Sequence, residues 1–110
     1  MVHRLVVSYG QPDDPGAFDA HYRDTHVPLA TAMPGLVRFT VGHPVPVDPS
    51  ELPPYLVAEL DFASEEDMAQ AFASPEGAAA AADVGTFASG GATMVHFEVH
   101  EVPAGTTSRP

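Results

Sequence analysis

The chain has 110 residues, of which 45% are hydrophobic and 17% charged, a composition typical of one folded domain rather than a disordered chain. Fifteen acidic residues against four basic ones give a formal net charge of −11, which disfavours nucleic acid and anionic membranes as partners. The lack of cysteine and lysine excludes disulfides, thiolate nucleophiles and Schiff-base chemistry. Apolar runs are too short for a signal peptide or a membrane span, so we expect a cytoplasmic protein.

The first two elements are predicted to be a strand and a helix. Residues alternate from Val2 to Tyr9, which predicts a strand with Leu5, Val7 and Tyr9 on one face. Asp14 before Pro15 is a typical helix start, because aspartate caps the first turn and proline suits its first position. Pro28 lacks a backbone donor, so we expect this helix to kink or end near His26.

The rest of the chain predicts three further strands and a pair of helices. Alternation predicts strands over residues 36–41, 55–62 and 93–102, with an extended connection over 43–54 that carries five prolines. Ser64 and Ser74 each precede acidic residues at a helix start, which predicts two consecutive short helices. The second is expected to contain Ala78 to Ala82 and to stop at Gly85, and residues 103–110 to form a flexible tail.

This order of elements predicts the fold class. One domain over residues 1–102 is expected to be an α+β ferredoxin-like sandwich, with helices on one face of a four-stranded antiparallel sheet. The residues expected on the face without helices are mixed in polarity: Arg4, Val6, Ser8, Arg38, Thr40, Tyr55, Val57, Glu59, Met94, His96 and Glu98. Because a half-apolar sheet face favours burial, we predict a homodimer in which two such faces pack together.

A set of motifs spread over nearly the whole chain resembles the EthD family, specifically its short members named EthD family reductases. The motifs are Tyr9-Gly10-Gln11-Pro12, Asp14-Pro15, Phe18-Asp19, His21-Tyr22, Thr25-His26, Pro28-Leu29, Pro34-Gly35-Leu36, Ser74-Pro75-Glu76-Gly77, Asp83, Phe87-Ala88 and Gly90-Gly91. The resemblance implies a dimeric α+β barrel and a place beside ether-degradation systems, in which a cytochrome P450 carries out the oxidation. Relatives on this barrel include lactone isomerases, polyketide cyclases, cofactor-free monooxygenases and haem enzymes, so the fold does not select the reaction.

His26 is the first candidate for a catalytic residue. The resemblance makes it the histidine of the family's His-x-Pro-Leu motif, and the sequence places it at the end or kink of the first helix. An imidazole there can act as a general acid or base. The alternative is a structural histidine that hydrogen-bonds a carbonyl freed by Pro28 and holds the kink.

Six further residues are assigned to the same candidate site, each with a structural alternative. Tyr22 lies one turn before His26 and could orient it, or could be an ordinary core aromatic. His43 matches a position that is often histidine in the broader family, or is plain surface. The expected substrate-binding residues are Tyr9, Leu29, Arg38 and Phe39; Arg38, with Arg4, either pairs with Glu59 or Glu98 or holds an acidic ligand.

We predict no metal and no cofactor. His21 and His26 lie about 140° apart on a helix of ~100° per residue, so they should not share a face. His96 and His100 share a strand face but are about 13 Å apart at ~3.3 Å per residue, which is too far for both to bind one ion. With Glu98 between them, they are more typical of a polar network on the sheet face or at a dimer interface. Haem bound through a histidine is an alternative, but the sequence contains no haem-attachment motif.

These observations lead to two hypotheses of function. The first is an enzyme that transfers protons on a small apolar or aromatic metabolite, with isomerase, cyclase or oxidoreductase character implied by the family. Its pocket would be floored by Leu5, Val7, Tyr9 and Phe39, with His26 at the rim. The second is a non-catalytic ligand-binding or accessory protein of an oxidase system.

Overall fold

The computed structural model describes residues 1–105 and contains one four-stranded sheet with helices on one face. The strands run in the order β2-β3-β1-β4 with every pairing antiparallel, where β1 is His3–Tyr9, β2 Leu36–Gly42, β3 Leu56–Phe62 and β4 Ala92–Glu98. The α-helices in these residues are α1 (Pro15–His21), α2 (Val27–Thr31), α3 (Glu65–Ala73) and α4 (Pro75–Phe87). This arrangement confirms the predicted ferredoxin-like α+β fold.

The core lies between the sheet and the helices. Burial alternates along β1, and Leu5, Val7 and Tyr9 face the helices as the residue pattern predicts. Tyr9 and Phe62 are the largest side chains to be almost completely buried. The central strands β1 and β3 therefore form the floor on which the helices pack.

The helix that begins at Pro15 continues past Pro28 through a wider turn. The Asp14 side chain accepts the Ala17 N–H at 3.1 Å and caps α1. Residues Tyr22–His26 then form a π-helical turn, which the Val27 N–H closes on the Tyr22 carbonyl, and α2 follows directly. Because Pro28 cannot donate to the carbonyl one turn earlier, a wider turn at this point lets the helix continue through it. The kink expected near His26 is thus a π turn.

Ser74 ends α3 and begins α4. Its Oγ accepts the Gly77 N–H at 3.0 Å and donates to the Ala71 carbonyl, so one hydroxyl satisfies backbone groups of both helices. The predicted break between two helices is confirmed, but the predicted stop at Gly85 is wrong. Gly85 lies inside α4, which continues to Phe87, because an exposed glycine weakens a helix without ending it.

The fourth strand is shorter than predicted, and its faces are the reverse of the prediction. It ends at Glu98, and residues 99–105 have no regular structure; of the predicted tail, residues 106–110 lie outside the described part. His96 pairs with Leu5 and Met94 with Val7, so these side chains share the helix-covered face. The expectation that Met94, His96 and Glu98 lie on the open face is therefore wrong.

The face without helices, called the open face below, combines apolar side chains with one ion pair. Val95 and Phe97 lie on it, opposite Val6 and Arg4, and are 60% and 46% exposed. Arg4 donates two hydrogen bonds, at 2.7 and 3.0 Å, to the buried Asp61 carboxylate. Pairing of Arg4 is thus as expected, but its partner is Asp61 rather than Glu59 or Glu98.

Tyr55, also expected on the open face, is placed differently. It precedes β3, and its hydroxyl donates to Asp19 of α1 at 2.8 Å. Its ring packs edge-on against Phe18 on the helix side of the sheet. The strand alternation does not extend to this residue because β3 begins only at Leu56.

Candidate functional site

The carboxylate of Asp83, on α4, binds two histidines of the helix that begins at Pro15. The His26 Nδ1 is 3.0 Å from Oδ2 of Asp83, and the His21 Nε2 is 2.9 Å and 3.0 Å from the two carboxylate oxygens. Thr86 adds a hydroxyl donor at 3.0 Å. His26 is only 6% exposed, so its hydrogen bond to Asp83 is shielded from water.

The π turn brings the two histidines to the same carboxylate. With α-helical geometry His21 and His26 would point about 140° apart, as assumed from the sequence. A π turn closes its hydrogen bonds over five residues instead of four, so residues five apart lie nearly one above the other. The prediction that these histidines do not share a face is therefore wrong.

The surroundings of His26 favour a neutral imidazole with a defined tautomer. Burial lowers the pKa of His26 and outweighs the opposing effect of Asp83. Burial acts against ionisation of Asp83 too, but hydrogen bonds from His21, His26 and Thr86 prevail, and the pKa of Asp83 is lowered. Because an ionised carboxylate only accepts, Nδ1 of His26 carries the proton and Nε2 keeps its lone pair.

Tyr22 presents a buried hydroxyl beside this imidazole. Its ring centroid is 5.3 Å from that of His26, and its hydroxyl has no hydrogen-bond partner within residues 1–105. Burial and the nearby Tyr9 raise the pKa of Tyr22, and burial followed by the charge of Asp83 raises that of Tyr9 to about 12, so both phenols are neutral donors. An unpaired buried hydroxyl is uncommon and favours a site that a ligand completes.

Tyr22 and His26 line a narrow apolar cavity between the sheet and the helices. Its volume is about 30 Å³, and its floor includes Leu5, Val7 and Tyr9 of β1 with Phe39 of β2. The wall opposite comes from α2, the chain after it, α3 and α4, and the partly exposed Met94 of β4 also lines the cavity. A cavity of this size holds one or two waters, so a larger ligand requires movement of the lining side chains.

Four of the seven predicted site residues meet at this cavity, namely Tyr9, Tyr22, His26 and Phe39. His26 is buried inside it rather than at its rim. Leu29 packs against the core outside the cavity lining. Arg38 is exposed in the position opposite Asp61. His43 is also exposed, and its Nδ1–H donates to the Tyr55 carbonyl at 2.8 Å.

The sequence interpretation did not assign roles to Asp83 and His21. Both belong to the motifs that resemble the family, which was the available signal. Their partnership with His26 could not be found from spacing, because Asp83 is 57 residues away and the π turn changes the helical phase. Among residues 1–105, no helix is long and apolar enough to cross a bilayer.

Fold and site together define a ferredoxin-like α+β protein with a His–Asp pair beside a small apolar cavity. The EthD domain profile matches residues 11–91, which is most of the chain. The chain belongs to the EthD family.

Relatives of known sequence or structure agree with this assignment. The chain is 47% identical to an uncharacterized 11.0 kDa protein of the thcB-thcC intergenic region of Rhodococcus erythropolis, over 92% of this chain and 98% of the relative. A Bacillus halodurans EthD family crystal structure superimposes with a TM-score of 0.84 at 35% identity, covering 91% of this chain and all of the other.

More distant structures share the fold alone. A dimeric ferredoxin-like protein of unknown function from Thermobifida fusca matches with a TM-score of 0.68 at 16% identity, covering 90% of this chain and 92% of its own. SnoaB of Streptomyces nogalater, a cofactor-independent oxygenase, matches with a TM-score of 0.63 at 18% identity, covering 92% and 94%. The fold therefore occurs both in an enzyme and in proteins of unknown activity.

Proposed function

We propose that this protein binds a small apolar or aromatic metabolite in the cavity and that His26 transfers a proton to and from it. The observation that carries the proposal is the pairing of His26 Nδ1 with Asp83, which leaves the Nε2 lone pair of a cavity-lining imidazole available. Asp83 would hold the imidazole in place and stabilise the imidazolium that forms. The fold of SnoaB shows that this architecture can host chemistry without a cofactor in another protein.

The proposed step suits a ligand with an acidic hydrogen next to a carbonyl. Nε2 of His26 accepts that proton, and the electron pair of the broken C–H bond moves to the carbonyl oxygen as an enolate. The Tyr22 hydroxyl, which lacks a partner, can donate to this oxygen. Where the ligand carries a C=C bond conjugated with this enolate, return of the proton to the far carbon gives an isomer, with no net oxidation or reduction.

Ligand entry is expected to depend on adaptable side chains. Met33 and Met94 both line the cavity, and the unbranched methionine side chain changes rotamer at low cost. The lining is otherwise aliphatic or aromatic apart from His26 and the tyrosine hydroxyls. A small ring with one carbonyl group therefore fits its chemistry better than a charged ligand.

Deuterium exchange tests the proposal without knowledge of the natural substrate. Cyclohexanone, 2-cyclohexenone and acetophenone are first screened for thermal stabilisation of the protein. Exchange of the hydrogens next to their carbonyl is then followed by proton NMR in D₂O. We expect faster exchange with the wild-type protein and H100Q than with H26Q, since His100 is exposed and outside the cavity. Equal rates with wild type and H26Q for every stabilising ketone would refute the proton-transfer role.

The alternative function is a non-catalytic ligand-binding or accessory protein. The observation that favours it is that His21 and His26 both bind Asp83 and so link the first helix to α4. A cluster whose only role is to hold two helices together would make the same contacts. In that case H26Q would lower the melting temperature strongly. The wild-type protein would bind the ketones without accelerating their deuterium exchange. Loss of exchange in a variant that melts near wild type supports catalysis.

We further propose that two copies associate through their open faces. Exposed Val95 and Phe97 on the edge strand β4, beside Val6 of β1, give this face an apolar patch, and the Thermobifida fusca protein of the same fold is dimeric. Sedimentation velocity at micromolar concentration should show a dimer for wild type and a monomer for V95E. The control V45E places the same charge in the exposed connection and should stay dimeric. A monomeric wild-type protein would contradict this arrangement.

A further inference from the structure

A second cluster of polar side chains lies away from the cavity, where β1 and β4 meet the start of α3. The His3 Nε2 and the His96 Nδ1 are 2.8 Å apart, and the Glu65 carboxylate is near enough that one ligand atom from each residue falls within 4.8 Å of the others. His3 is buried, whereas Glu65 and His96 are exposed. The cluster is therefore anchored at one side and open to solvent at the other.

We propose that His3, His96 and Glu65 form a binding site for a divalent transition metal ion of the zinc type. Imidazole nitrogens and one carboxylate are a ligand set that Zn²⁺ accepts, with water in the remaining position. At Zn–N distances of about 2.1 Å, tetrahedral ligands are roughly 3.4 Å apart. The observed nitrogen separation of 2.8 Å needs to widen by about 0.6 Å to reach this value. The exposed Glu65 can close on the ion by changing its rotamer.

The fold places these ligands together although they are far apart in sequence. His3 pairs with Glu98 in the sheet, so His96 lies diagonally across from it on the same face. Ser64 caps α3 and directs its first residue, Glu65, toward this end of the sheet. The depression at His3 and Glu65 is also lined by Glu98, which adds negative charge beside the ligands.

The short contact between the two imidazoles also suits metal binding. Two facing ring nitrogens at this distance share one proton, which one ring donates and the other accepts. A change of tautomer moves that proton to the far side of its ring and leaves both lone pairs facing the same point. A metal ion can then take the place of the shared proton between the two nitrogens.

Zn²⁺ titration of untagged, chelator-treated protein by isothermal calorimetry tests the site. Wild type should bind one ion per chain and gain melting temperature with added Zn²⁺. H3Q, H96Q and E65Q should each weaken binding by at least about tenfold, whereas H100Q, which removes an exposed histidine outside the cluster, should bind as wild type does. The E65Q change is on the surface and should fold normally, which keeps the test valid if H3Q does not.

Either of two results would overturn the metal site. One is wild-type protein that shows no saturable Zn²⁺ binding in the calorimeter. The other is a Zn²⁺ affinity of H96Q or E65Q equal to the Zn²⁺ affinity of H100Q. That result would mean that scattered surface groups, rather than this cluster, bind the ion.

Discussion

The buried imidazole of His26 should make the protein less stable as the pH falls from about 7.5 to 5.5. Its pKa is lowered by burial in the folded state, so the unfolded chain takes up a proton first on acidification. The contribution of His26 to stability is complete at pH values above its pKa in the unfolded chain, ~6.5. This contribution is lost as the pH falls toward the lower pKa of His26 in the folded protein. The greatest slope for one proton is about 1.4 kcal/mol per pH unit, or roughly 4–8 °C in melting temperature for a small domain.

Urea unfolding at three pH values in this range, at fixed protein concentration, measures the effect. H26Q lacks the titrating ring and should show a shallower dependence than wild type. H100Q, a matched histidine change at an exposed position outside the cavity, is the control. A ring-nitrogen NMR titration should place the midpoint of His26 below that of free imidazole. Titration of Asp83 does not contribute between pH 7.5 and 5.5, because its lowered pKa places its effect on stability at more acidic pH. If H26Q and wild type lose stability with the same slope, the burial argument fails.

Four further substitutions test the packing and the site. Y22F removes a buried hydroxyl without a partner and should leave the free energy of unfolding unchanged or raise it by about 1 kcal/mol, while slowing ketone exchange; a loss of stability would mean that the hydroxyl is bonded. D83N should lower stability by about 1–3 kcal/mol, since both histidines lose an ionised acceptor, and an unchanged urea midpoint would contradict the geometry. G77A should lower the melting temperature because its methyl would meet the Ala71 carbonyl, whereas G85A, in open space within α4, should raise stability by about 1 kcal/mol; the reverse order would be inconsistent with the helix contact.

Much of the fold was predictable because its signals are local. The caps at Asp14 and Ser74 and the alternation of β1 depend on residues within one turn or strand, and they gave the correct element order. The faces of β4 were not predictable in the same way. Alternation divides a strand into two sets without saying which set meets the core, and in this edge strand the apolar set, with Val95 and Phe97, points away from the helices.

The candidate site was predicted in part. His26 was identified by its place in the family motif and at the end of the first helix, and Tyr22 by lying one turn before it. The cavity floor followed from the faces of β1. The role of Asp83 depends on packing between distant helices, which spacing does not reveal. His43, taken from the family match, and Arg38, taken as a strand arginine, occupy exposed positions beyond and on β2, outside the cavity lining. Neither a motif match nor residue type reveals which side of a strand meets the cavity.

The wide turn before α2 limits how this region can change during evolution. Three of its residues, Arg23, Asp24 and Thr25, are exposed, so substitutions among them should be well tolerated. Removing any one of them would restore ordinary helical winding and rotate His26 by about 100° relative to His21. The segment is therefore constrained in its number of residues far more than in their identity, and homologues that retain both histidines should show no gaps here.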